Sequence, residues 1–171
     1  MKIPIYSKSF PWPAIKYYSK VHGVEIQMIA SIIQVESGGN EWAFRYEPNY
    51  KWTHDTNILQ HRWKCSGPTA LLVQQCSYGL MQIMGATYLD LGGHEIPTTL
   101  FEVENNIDYA TRHFKNQLEK YNNNVMDSYA AYNAGIAKKI KGVYQNEWAV
   151  KKFREVYLQF IGEKEVTRVE I

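Results

Sequence analysis

One carboxyl group carries the strongest chemical signal in this chain. Glu36 closes an apolar stretch over residues 24–36, and Ser37, Gly38, Gly39 and Asn40 then stop the pattern. Ile29, Ile32 and Ile33 precede Glu36 by seven, four and three residues, so a helix puts all four on one face. A carboxylate on an apolar stripe loses hydration, and a helix C-terminus disfavours negative charge again. Both effects push the pKa upward, toward a group that donates a proton at neutral pH. The plainer reading is a Glu at the rim of a core with its head in water. Periodicity alone leaves both open.

Two other segments combine polar groups with small residues. In Ser77-Tyr78-Gly79-Leu80-Met81-Gln82-Ile83-Met84, Gly79 permits a positive φ or a close backbone approach, and Gln82 offers both donor and acceptor. In Ala130-Ala131-Tyr132-Asn133-Ala134-Gly135, small neighbours allow close helix packing, which lets the Tyr132 hydroxyl reach a cleft. Each segment taken singly is also explained as an ordinary helix start or stop.

The elements that must position these groups are mainly helical. A Pro-rich lead-in, Phe10-Pro11-Trp12-Pro13, precedes a helix over 14–22 closed by Gly23, and the Glu36 helix follows. Residues 41–77 lose any sustained period and read as mostly irregular, with short helices, a small hairpin or a β-tongue over a cleft. Helical patterning resumes over 79–91. Ile107, Ala110, Phe114, Leu118 and Tyr121 define an amphipathic helix over 105–121. Further helices are expected over 125–133 and 147–160, with a loose charged tail from Glu163. The fold class is therefore mainly α, with one long loop or β-tongue insertion in a single domain spanning 1–171 (core about 14–160, insertion about 41–77).

Composition excludes several alternatives. With 171 residues, 45% hydrophobic and 21% charged, the chain can bury a real core and is not of a disordered type. Thirteen Tyr and five Trp suit sugar stacking, although most such rings fill ordinary cores. A net charge of +2 is too mild for a nucleic-acid binder, and no run approaches the roughly 20 apolar residues of a membrane span. Cys65 and Cys76 are expected as free thiols or as a disulfide. A zinc site drawn from them with His54 and His61 follows no common spacing, so no metal or cofactor is expected.

Taken together and in this order, Glu36-Ser37-Gly38-Gly39, Gly79-Leu80-Met81-Gln82-Ile83 and Ala131-Tyr132-Asn133-Ala134-Gly135 resemble the soluble lytic transglycosylases of the lysozyme-like superfamily. Leu100-Phe101 and Asn106-Ile107 resemble that family's link into its long helix, and the likeness covers residues 14–160. The resemblance implies a lysozyme-like α-helical domain that cuts the MurNAc–GlcNAc β-1,4 bond of peptidoglycan; a monomer is expected. It puts Glu36 in the role of lone catalytic carboxylate, acid and then base, closing a 1,6-anhydro ring without consuming water. It implies that Met81 and Gln82, following Gly79, line the sugar sites and that Tyr132 places its hydroxyl near Glu36. Asn133 is the more structural member of its pair, and Ser37 either bonds near the cleft or caps the helix end. The chain departs from the family's pattern after Gly135, where no Pro-rich turn follows; Tyr157 is the nearest candidate for the family's later Tyr.

Two alternatives stay open. A true lysozyme needs a second carboxylate, about 5–9.5 Å from the acid depending on stereochemistry. Glu41, Glu47 and Asp55 could supply it, Glu47 best, although Arg45 offers that group an ordinary salt bridge. A non-catalytic wall-binding module would have lost the acid, which is present here. The first residues lack the apolar core of a signal peptide. The expectation is a phage endolysin or virion-associated lysin that reaches periplasmic peptidoglycan after membrane disruption, or a bacterial enzyme with its signal removed.

Overall fold

The computed structural model describes residues 10–167, with side chains through Gly162. The signal-peptide reading falls on residues outside that range. The described chain is mainly helical and divides into two compact units. The first unit takes the chain up to Val35 and again from Thr111, and the second takes Glu36–Ala110.

In the first unit, helix α1 (Trp12–His22) ends at Gly23, whose φ of 65° supplies the left-handed cap, and helix α2 (Ile26–Glu36) follows. Ile29, Ile32 and Ile33 are wholly buried, so the stripe read from spacing is a core face. Helix α6 (Val103–Lys120) contributes its second half here, with Phe114 and Leu118 turned inward. Helix α7 (Val125–Ala134) starts on the Asn124 side chain, which accepts from the Asp127 amide, and stops at Gly135 with φ 78°. Helix α8 (Glu147–Thr167) packs on α7 through the stacked, fully buried rings of Tyr129 and Phe153. Its backbone continues to Thr167, past the loose tail expected from Glu163.

The structure adds a short hairpin, β4 (Lys139–Ile140) and β5 (Val143–Tyr144), where no strand was expected. Lys141 and Gly142, both at positive φ, form its two-residue turn, the conformation a tight hairpin requires. Two-residue strands carry too little alternation to be seen in sequence.

The second unit is built around a three-stranded antiparallel sheet, ordered β1 (Phe44–Tyr46), β2 (Cys76–Tyr78), β3 (Ile83–Met84). Between β1 and β2 run two short helices, α3 (Thr56–Trp63) and α4 (Gly67–Gln74). Asp55 and Ser66 cap them, accepting from Asn57 N and Thr69 N. The insertion is thus more regular than its sequence, with two short helices and a strand, β1, paired with β2. Helix α5 (Gly85–Asp90) and a 3₁₀ turn (Pro97–Phe101) lead into α6.

One expectation is corrected here. The helix predicted over 79–91 begins only at Gly85, and residues 76–84 are a β-hairpin. The reason is local: Gly79 at φ 66° and Gln82 at φ 50° lie in the left-handed region, which a right-handed helix cannot accommodate. The apolar residues between them, Leu80 and Met81, are buried in the turn and mimic a helical face in sequence.

Candidate active site

Glu36 is the last residue of α2 and is partly buried. The chain leaves the helix through Gly38 and Gly39, both at positive φ. Ser37 ties this exit down. Its Oγ accepts from Gly39 N at 3.1 Å and donates to the Leu80 carbonyl at 2.7 Å, across 43 residues of sequence. One hydroxyl thus serves both the turn after the helix and a bond to the second motif.

The second motif is fastened on its other side as well. The Ala43 carbonyl accepts from Gly79 N at 2.7 Å and from Gln82 Nε2 at 3.0 Å. Gln82 Nε2 also donates to the Gly79 carbonyl, and Gln82 Oε1 accepts from Ser77 Oγ. Both amide hydrogens and the amide oxygen of Gln82 are thus engaged in holding its own turn, which sustains its positive φ. The side chain expected to line a sugar site serves first to fix the loop. Met81 is wholly buried, so its side chain belongs to the core and offers no face to a ligand.

A residue without a role in the sequence reading organises this turn. Asn106, in the first turns of α6 and 1% exposed, accepts from Met81 N at 2.9 Å and donates to the carbonyls of Tyr78 and Leu100 at 2.8 and 2.9 Å. Its signal was an Asn one position before Ile107 and four before Ala110, on the buried face of an amphipathic helix. Gly79 fits against it so closely that an added Cβ would lie 2.5 Å from Asn106 Nδ2 and 2.7 Å from the Leu100 carbonyl.

Of the insertion's three candidate carboxylates, Glu41 is exposed and the other two have engagements. Glu47 is ion-paired with Arg45, and Asp55 caps α3. Cys65 and Cys76 are free thiols; Cys76 is buried, its Sγ donates to the Leu72 carbonyl, and burial pushes its pKa up. Among the described residues, no group of three or more His, Cys, Asp or Glu is placed to hold a metal ion.

Tyr132, Asn133 and Tyr157 lie in the first unit. Tyr132 heads a column of nearly parallel rings, Tyr132, Tyr129, Phe153 and Tyr157, with interplanar angles of 18°, 8° and 9°. His113 and the edge of Phe114 close on it from α6 at centroid distances of 5.2 and 5.9 Å. The ring is therefore held rigidly by packing. Asn133 Oδ1 accepts from Asn146 Nδ2 at 2.9 Å, linking the end of α7 to the residue before α8. At Tyr157, burial and then the Glu25 charge push the hydroxyl pKa up. In the first turn of α7, before the motif, Asp127 is held below the usual carboxylate range by hydrogen bonds from Lys139 and Tyr144, which fasten the β4–β5 hairpin to α7.

The family model of the transglycosylase SLT domain matches residues 13–154, which includes all three motifs. The chain belongs to this family. Its helical architecture is that of a lysozyme-like SLT domain, and membership supports an activity of the lytic transglycosylase type directed at peptidoglycan. No solved structure matches the chain. No helix among the described residues is long and apolar enough to cross a membrane.

Proposed function

We propose that the chain cleaves the MurNAc–GlcNAc β-1,4 bond of peptidoglycan without water, leaving 1,6-anhydro-MurNAc ends. Glu36 is the acid that protonates the glycosidic oxygen as the bond to the anomeric carbon breaks. The same carboxylate then takes the proton of the MurNAc 6-hydroxyl as that oxygen attacks the anomeric carbon. The atoms balance with one side chain, because the sugar's own hydroxyl replaces the water of a hydrolase.

The observation that carries this reading is the tie between the first two motifs, Ser37 Oγ to the Leu80 carbonyl. It anchors the chain leaving Glu36 to a turn stabilised by Gly79, Gln82 and Asn106. Gly79, Met81 and Gln82 act by shaping that turn, and Ser37 by fixing the helix exit. Arg45 engages Glu47 and the α3 cap engages Asp55, which counts against these two as the second carboxylate of a lysozyme and leaves Glu41 as the remaining candidate of that reading. Tyr132 is assigned a supporting role in the same reaction, with Asn133 and Tyr157 holding its surroundings.

The test has two readouts. Glu36→Gln should lower wall-lytic activity about 10²–10⁴-fold while the circular dichroism spectrum stays unchanged. Mass spectrometry of digested wall should show anhydro ends. Reducing MurNAc ends would establish hydrolysis instead, and a fully active Glu36→Gln would remove the catalytic assignment.

A further inference from the structure

The second unit exposes an aromatic surface beside the Glu36 exit. Trp42 is 66% exposed and Phe44 55%. A single exposed Trp is unremarkable, since much of any protein surface is apolar. This one is held in place. Its amide donates to Asn40 Oδ1 at 3.0 Å, and its ring packs on Phe101 at a centroid distance of 5.6 Å. Phe101 rests in turn on Phe44 and on the fully buried Tyr78. Phe101 is the sole ring partner of Trp42 among the described residues, so the indole is backed by one half-buried ring and is largely open to solvent.

Its position follows from hydrogen bonds already described. The next residue, Ala43, accepts two bonds from the Gly79–Gln82 turn, and that turn is held to Ser37 through Leu80. Trp42 is thus anchored to the same loop assembly as the candidate acid, six residues after it. Arg45 on the adjoining strand is ion-paired with Glu47 just beyond it. A rigid, uncharged aromatic face complements the apolar C–H face of a pyranose ring.

We propose that Trp42, backed by Phe101 and flanked by Phe44, is a stacking platform for one sugar ring of the glycan strand. It forms a binding subsite next to the bond that Glu36 cleaves. The proposal rests on the reading of Glu36 and peptidoglycan given above, and it adds a residue that the three motifs do not contain.

The test uses the Glu36→Gln chain as a non-turnover parent and a soluble GlcNAc–MurNAc tetrasaccharide as the probe, with binding measured by calorimetry. Adding Trp42→Ala should weaken binding roughly tenfold, the scale of one aromatic contact. Trp42→Phe should keep most of the affinity, and both should melt like the parent because the indole is largely exposed. Trp52→Ala, 76% exposed in the same unit and with Tyr50 as its ring partner among the described residues, should bind like the parent. In the active enzyme, Trp42→Ala should raise KM and spare kcat. Unchanged affinity in Trp42→Ala, or an equal loss in Trp52→Ala, overturns the proposal. A parent that binds no glycan removes the substrate reading together with it. A fully active Glu36→Gln removes the catalytic reading alone, since stacking is then read from the KM of Trp42→Ala in the active enzyme.

Discussion

Replacing Asn106 with Ala should unfasten the turn on which the candidate site rests. The side chain makes three hydrogen bonds at 1% exposure: one accepted from Met81 N and two donated, to the Tyr78 and Leu100 carbonyls. Each intramolecular bond contributes about 1 kcal/mol net, and an orphaned buried donor such as Met81 N costs about 1–3 kcal/mol. With the small cavity left by the amide, the loss should be about 3–5 kcal/mol, a large share of the roughly 5–15 kcal/mol that holds a domain together. The assay is urea unfolding followed by circular dichroism, where the midpoint should fall with the slope unchanged. Asn106→Asp separates hydrogen bonding from volume. The carboxylate could still accept from Met81 N but would face two carbonyls, so its folded pKa would be raised by burial and repulsion. A group with a raised folded pKa stabilises the protonated fold, so this variant should gain stability as pH falls. A loss below about 1 kcal/mol in Asn106→Ala, on the scale of a single replaceable bond, would refute the claim that this residue organises the turn.

Other outcomes follow from the same geometry. Gly79→Ala should cost about 2–4 kcal/mol, since it adds backbone contacts to a positive φ, whereas Gly23→Ala, at φ 65° with nothing within 4 Å, should cost about 1–2 kcal/mol; equal urea midpoints would contradict this. The Asp127 carboxyl is held below its ordinary value of 3.8, so its contribution is present above that pH and is lost as pH falls below it through the lowered folded value. Lys139 is raised above 10.5, so its contribution is complete below that pH and is lost above it. Asp127→Asn should therefore flatten both arms of a melting-temperature profile against pH, and a parallel profile would refute the pairing. Iodoacetamide should label Cys65 before the buried, pKa-raised Cys76 in the native protein, and mass spectrometry showing the reverse order would contradict the burial of Cys76.

The long-period elements were legible because a helix writes its buried face into the sequence every three to four residues. The α2 stripe of Ile29, Ile32 and Ile33 and the α6 series Ile107, Ala110, Phe114 and Leu118 are all buried. Short strands leave no such record. The β2–β3 hairpin was read as helix because its buried pair Leu80 and Met81 sits between two residues whose positive φ only the coordinates reveal. Within the insertion, α3 and α4 are too short for periodicity to build up, and only their caps, Asp55 and Ser66, were there to be read.

The sequence by itself determined the family: an acid on an apolar helix face and three motifs in the order of the SLT family. It also determined the predominance of helix. What those residues do was decided by tertiary structure. Gln82 bonds its own turn rather than standing open, Met81 is core, Ser37 joins two motifs 43 residues apart, and Asn106 fixes the turn from α6. The physical reason is that a hydrogen bond depends on where two chain segments meet. Composition and period constrain which face is buried, but a polar group's partner is settled only when distant backbone carbonyls and amides are brought within about 3 Å of it.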